Sequence, residues 1–141
     1  MTNEELILRA TSVLRPRATT DGRLIGDVGA TLLTDTGNVY SGVCIDTGSG
    51  TGFCAEHSAI AAMVTSGEYR IAKIVAVWRD ERDGTLYVVP PCGRCREFIR
   101  QIDEANLETE VVLAKDKTVK LKELLPYHEW PQPLEIGGRA G

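Results

Sequence analysis

Apolar residues recur at a helical interval through Leu6, Ala10, Val13 and Leu14, and the preceding Thr2-Asn3-Glu4-Glu5 has the spacing of a capping box. This predicts an amphipathic helix over residues 3–15, stopped by Pro16. The rhythm then changes. Val28-Gly29-Ala30-Thr31-Leu32-Leu33 and Val39-Tyr40-Ser41-Gly42-Val43-Cys44-Ile45 flank Asp35-Thr36-Gly37-Asn38, a hairpin signature in which Gly and Asn tolerate the positive φ of a tight connection. Residues 46–52 hold three glycines among Thr and Ser, so they are either a loop that brings backbone close to a ligand or a plain connector.

From Cys54 onward, Ala59, Ile60, Met63 and Val64 share one face of a buried helix that ends at Gly67. Residues 71–78 alternate and are rich in Val and Ile, predicting a strand. Residues 79–84 read as a charged turn, and residues 86–89 run extended into Pro90-Pro91. A second helix over residues 94–105 has Phe98, Ile99 and Ile102 as its inner face. A strand at 110–114 and a short helix at 121–125 precede a Pro-punctuated tail. The order αββαβαβα predicts an α/β layer structure whose last strands are parallel, because helical crossovers join them. Residues 1–141 read as one domain, with about residues 131–141 as its tail; no internal repeat or low-complexity stretch interrupts it.

Composition narrows the function classes. With 43% apolar and 26% charged residues, the chain falls among ordinary globular proteins. A net charge of −4 without a basic run gives no footprint for a phosphate backbone, so no nucleic-acid partner is expected and a small neutral or cationic substrate is. Nothing approaches a membrane span. The acidic opening Met1-Thr2-Asn3-Glu4-Glu5 is unlike a signal peptide, which predicts a cytoplasmic location. There, four cysteines are metal ligands, catalytic groups or buried apolar residues before they are disulfides.

Two predicted helices open with cysteine: Cys54-Ala55-Glu56, and Pro91-Cys92-Gly93-Arg94-Cys95. If the two starts meet, three thiols gather where two helix N-termini lower thiol pKa and favour the thiolate that binds zinc. Three protein ligands leave a tetrahedral ion one open position, the mark of a catalytic rather than a structural zinc site. Glu56 does not complete that shell; a carboxylate beside water in the open position can take a proton and return it to a leaving group. Two rivals use the same thiols. A non-catalytic zinc module would close its shell with His57 or His128, and a thiol redox protein would use Cys92 and Cys95.

These motifs match the zinc-deaminase signature of Cys-x-Glu followed by Pro-Cys-x-x-Cys, with Glu as general acid and base. With Val28-Gly29-Ala30-Thr31-Leu32-Leu33, Tyr40-Ser41-Gly42 and Cys92-Gly93-Arg94-Cys95-Arg96 in the same order, the chain resembles the small cytidine deaminases, whose zinc is held by three cysteines. The resemblance implies a three-layer α-β-α fold with a central mixed sheet, zinc on Cys54, Cys92 and Cys95, and Glu56 as the catalytic proton carrier. It also implies a cytosine nucleoside, cytidine or deoxycytidine, as substrate; the backbone N–H of Ala55, near the helix start, is a candidate contact to the base. A homotetramer, or a homodimer, whose sites form at subunit contacts is implied as well.

Departures bear on the substrate. Small cytidine deaminases grip the ribose with an Asn and, two positions on, a Glu; at the matching places stand Cys44 and Asp46. Cysteine is a weak donor and aspartate is one methylene shorter, so one sugar contact is lost and the other moved. The Cys-Gly-Arg-Cys-Arg motif, the glycine-rich approach to Cys54, and Glu123-Leu124-Leu125-Pro126 with Tyr127 and Trp130 resemble the blasticidin S deaminase branch, making a modified cytosine nucleoside the alternative substrate. Tyr127 and Trp130 are candidate pocket residues. Cys44 is either a small buried hydrophobe or a pocket residue. Arg82 is either a ligand for a substrate carboxylate or an exposed loop residue. Three thiolates around zinc leave a net negative charge that nearby donors must offset, so His57, three residues after Cys54, is expected to donate a ring N–H to a ligand sulfur; otherwise it is a packed core histidine.

Overall fold

The computed structural model describes residues 1–137 and the backbone of residues 139 and 140. Helix α1 (Asn3–Ser12) opens on the expected capping box: the Thr2 hydroxyl accepts from the Glu5 N–H and the Glu5 carboxylate from the Thr2 N–H. It ends three residues short of the expected boundary. The Arg15 N–H leaves the helix to donate to the Gly26 carbonyl at 2.9 Å, as the residue before a proline disfavours helical backbone. A two-stranded ribbon of β1 (Arg17–Ala18) and β2 (Leu24–Ile25) follows, too short to leave a periodic signal.

The central sheet is built from β3 (Val28–Thr34), β4 (Val39–Val43), β5 (Ile71–Arg79), β6 (Leu86–Val88), β7 (Glu110–Ala114) and β8 (Lys117–Lys120), in the order β4-β3-β5-β7-β8. Helix α2 (Ala55–Thr65) links β4 to β5, and α3 (Gly93–Ile102) links β6 to β7. The expected hairpin is β3–β4, with Gly37 at φ +91 in its turn. The crossover from β5 to β7 is parallel as expected, but β6 and β8 pair antiparallel with β5 and β7, so the sheet is mixed. The charged segment around Lys117 is an edge strand, where a hydrophobic pattern is not required.

Side chains of β5 alternate between the faces. Val75 and Val77 pack with Leu6, Ala10 and Leu14 of the α1 segment, whereas Ile74 and Ala76 pack with Ala59, Ile60 and Met63 of α2 and Ile99 of α3. The result is the three-layer α-β-α arrangement, with aliphatic side chains contributing about 1.5–3 kcal/mol each on full burial. Helix α3 stops at Ile102, short of the expected end, because Asp103 turns extended and its carboxylate accepts from the Ala105 N–H at 2.8 Å, starting a 3-10 turn at Glu104–Glu108. A second 3-10 turn spans Leu121–Leu124, and the exposed tail carries a short ribbon of β9 (Glu135–Ile136) and β10 (Arg139–Ala140).

Two features fix α2 on the hairpin. Gly42 lies so close to it that an added Cβ would come within 2.4 Å of the Ser58 Cβ and 2.6 Å of the Ala59 nitrogen, while the Ser58 hydroxyl donates to the Val43 carbonyl at 2.7 Å. At the helix's other end Glu68 accepts from the hydroxyls of Thr36 and Tyr40 and from the Asn38 amide. Those donors, Thr36 and Tyr40 foremost, hold its carboxyl down at about 2.

Gly42→Ala is expected to destabilise the protein by about 1–3 kcal/mol through this overpacked contact, read as a lower denaturant midpoint. An unchanged midpoint would reject the tight fit. For Glu68 the folded value lies below the ordinary 4.5, so its contribution is complete above that pH and disappears as pH falls toward about 2. The melting-temperature gap between wild type and Glu68→Gln should therefore be widest near neutrality and close across that window; a gap independent of pH would contradict it.

Candidate metal centre and adjoining cavity

Cys54 and Cys92 are the N-cap residues of α2 and α3, both in extended backbone, and neither side chain caps its helix. Their sulfurs are free to turn toward each other. The Cys54 and Cys92 sulfurs lie 3.7 Å apart, as do those of Cys92 and Cys95, and all three fall within 4.8 Å of one another. Zinc–sulfur bonds of about 2.3 Å in a tetrahedron require sulfurs ~3.8 Å apart, so the triad fits a zinc ion.

The chain approaches this point by two braced routes. Before Cys54, Ile45 and Phe53 exchange both backbone hydrogen bonds at 3.0 Å, closing residues 46–52 into a loop whose tip bends through left-handed Ser49 and Gly50. Before Cys92, the Val89 N–H donates to Ala76 of β5 at 2.9 Å, and the Arg96 guanidinium reaches back to the Pro91 carbonyl at 2.8 Å and across to Leu124 at 3.2 Å.

The thiols interact strongly. Burial pushes Cys54 up; burial and then the Glu56 carboxylate push Cys95 well above the ordinary thiol range. Burial raises Cys92 too, but hydrogen bonds from the Cys95 backbone and sulfur, and then from Cys54 and the Arg94 backbone, outweigh it and leave this thiol below its ordinary value. The expected lowering thus appears at Cys92 and not at Cys54 or Cys95, where burial is the largest influence. A divalent cation supplies the missing compensation by favouring all three thiolates.

Glu56, 6% exposed, is in the first turn of α2, and burial raises its carboxyl above the ordinary value. The His57 Nδ1 lies 3.5 Å from the Cys95 sulfur, and its ring also stacks on Phe98 with centroids 4.1 Å apart. The ring thus lies within reach of a cluster sulfur and is also packed against α3. Burial, then Arg94, lowers its pKa and favours the neutral ring.

Cys54 and Cys92 open on a cavity of about 700 Å³, which the fully buried Cys95 does not line. Cys44, Asp46, Ala55 and Glu56 line it, as do Phe53, Asp27, Trp78 and Arg94, which the hydrophobic pattern did not single out as pocket residues. The glycine-rich loop forms one wall. Tyr127 and Trp130 do not line this cavity: they are 97% and 88% exposed, on a tail that leaves the body of the chain after the second 3-10 turn. Arg82 is bound to Asp80, points to solvent and likewise does not line the cavity.

An α/β domain in which two helix starts gather three cysteines beside a buried carboxylate defines a zinc-binding class of protein. Residues 1–111 match the family described as the cytidine and deoxycytidylate deaminase zinc-binding region, and the chain belongs to that family. It is 43% identical over 76 residues to blasticidin-S deaminase of Bacillus cereus, a match covering 51% of this chain and 54% of that protein. The chain spans about half the length of the first curated relatives it matches. A longer match, 33% over 104 residues, covers 70% of this chain and 74% of the cytidine deaminase of Halalkalibacterium halodurans. Among solved structures, cytidine deaminase from Mycobacterium tuberculosis superposes with a TM-score of 0.69 at 27% identity, covering 88% of this chain and 94% of that one. Cytidine deaminase from Burkholderia pseudomallei gives 0.71 at 26%, covering 90% and 98%. No helix among the described residues is long and apolar enough to cross a membrane.

The purified chain is expected to carry stoichiometric zinc by elemental analysis, and Cys95→Ala to lose it. A zinc-free wild type that is nonetheless folded would overturn the metal assignment.

Proposed function

We propose that the chain is a hydrolytic deaminase that converts the 4-amino group of a cytosine nucleoside to the uracil form and releases ammonia. The observation that carries this reading is the position of Glu56: a buried carboxylate, its pKa raised by burial, lining the same cavity as Cys54 and Cys92 of the sulfur cluster. A structural zinc module has no use for such a group. Cys54, Cys92 and Cys95 would hold zinc, whose contribution when bound is to activate water at neutral pH. The remaining steps belong to the protein. Glu56 takes a proton as water oxygen bonds to C4, delivers it to ring nitrogen N3, and carries the second proton to the amine as the C4–N bond breaks. Ala55 lines the cavity, and as the first residue of α2 its N–H has no intrahelical partner, leaving it available to the base. The neutral His57 ring, protonated at Nδ1, donates to the Cys95 thiolate and offsets the charge of three sulfurs.

Cytidine and deoxycytidine are the leading substrates. The blasticidin-S deaminase match, together with Cys44 and Asp46 where a sugar clamp would stand, supports a modified cytosine nucleoside as the second reading. A homotetramer or homodimer would cover Tyr127 and Trp130, so exposed in one chain, and bring them to the cavity of a neighbouring copy.

Glu56→Ala should keep its zinc and its melting temperature, while ammonia release from the best substrate among cytidine, deoxycytidine, free cytosine and blasticidin S falls by ~10² to 10⁴. Undiminished ammonia release would refute the proposed chemistry.

A further inference from the structure

Asp27 stands in the connection between β2 and β3, one residue before Val28, and lines the cavity. Its backbone is held on both sides. The Gly26 N–H donates to the Cys44 carbonyl at 3.1 Å, the Cys44 N–H to the Val28 carbonyl at 3.0 Å, and the Arg79 N–H to the carbonyl of Asp27 itself at 3.3 Å. Its carboxylate is oriented as firmly: Oδ1 accepts from the Cys44 thiol at 3.2 Å and Oδ2 from the Trp78 indole N–H at 3.2 Å. Trp78 is braced in turn by stacking on Tyr87. Cys44, 4% exposed, thus directs its one donor at Asp27 rather than at anything in the cavity.

An ionised carboxylate offers roughly four lone-pair positions, and these two donors occupy two. Among the described residues no cationic side chain bonds to Asp27: of the cavity's arginines, Arg23 pairs with Asp21, and Arg94 donates to the Gly52 carbonyl. What remains of Asp27 therefore calls for donors from a ligand. A cytosine ring cannot supply them. Its O2 and N3 are acceptors that a carboxylate repels, N1 is substituted in a nucleoside, and its amino group must lie at Glu56 for the proposed reaction. The donors left are on the sugar.

We propose that Asp27 is a specificity-determining residue that accepts hydrogen bonds from the sugar hydroxyls of a cytosine nucleoside, with Cys44 and Trp78 acting as positioning residues that aim it. The sugar grip has moved from the segment just after β4 to the residue just before β3. This assignment rests on the deaminase reading above.

The test compares cytidine with N1-methylcytosine, which keeps the substituted base and lacks every hydroxyl, on zinc-loaded wild type, Asp27→Ala and Trp78→Phe. For Asp27→Ala the KM for cytidine should rise roughly 10- to 100-fold with kcat within a few-fold. The methylated base should bind the variant and the wild type alike, read as its KM or, where turnover is too slow, as its inhibition constant against cytidine. Trp78→Phe should move cytidine the same way by less. Cytidine deamination that Asp27→Ala leaves as efficient, or loss that falls equally on both ligands with a lowered melting temperature, overturns the assignment while the deaminase reading stands. Absence of ammonia from every cytosine nucleoside on the wild type overturns both.

Discussion

Sulfurs 3.7 Å apart at the starts of two helices form an arrangement that thiols alone do not favour. Buried thiols resist ionisation, as the upward shifts of Cys54 and Cys95, led by burial, register. A divalent ion reverses that balance, and the rest of the structure can be understood as scaffolding for its three ligands. Gly42 lets α2 settle onto β4, Glu68 ties the far end of α2 to the hairpin turn, and the bond from Val89 to Ala76 leads the chain along β5 to Cys92. None of these contacts involves a sulfur, yet each helps hold a ligand-bearing segment against the sheet.

Around the ion's position the charge distribution sorts roles among like groups. Glu56 and Asp27 are both carboxylates lining one cavity. Burial raises the pKa of Glu56 and leaves it suited to carrying protons, whereas Asp27 is gripped by an indole N–H and a thiol and is suited to accepting bonds without giving up its place. His57 gains its neutral state from burial and from Arg94 and can face a sulfur without adding a full charge.

Much of this is legible in the residues. The 3.6-residue and two-residue periods locate α1, α2, α3 and the hairpin, and the Cys-x-Glu and Pro-Cys-x-x-Cys helix starts, with the family resemblance they carry, point to the cluster of Cys54, Cys92 and Cys95. His57 follows from a charge argument. What stays hidden depends on pairing between distant segments. Strand β8 is a charged edge with no apolar period, and β6 reads as extended without revealing its antiparallel partner. Asp27 looks like a loop residue until Trp78, far along the chain, is seen to donate to it. Its one local sign is an acid directly before the Val-Gly-Ala start of a core strand. Tyr127 and Trp130 are misleading in the opposite sense: aromatic residues near a proline suggest a segment that closes over a pocket, but in the single chain they face solvent.

The clasp between Ile45 and Phe53 separates two kinds of change. Between those residues, Asp46, Thr47, Gly50 and Gly52 line the cavity; directly after them come Cys54 of the sulfur cluster and the buried Glu56. Lengthening, shortening or recutting the loop across Ser49 and Gly50 alters which molecules fit without shifting Cys54, because strain introduced at the tip ends at the paired backbone bonds. The fold thereby keeps its chemistry fixed while leaving its appetite open to evolutionary revision.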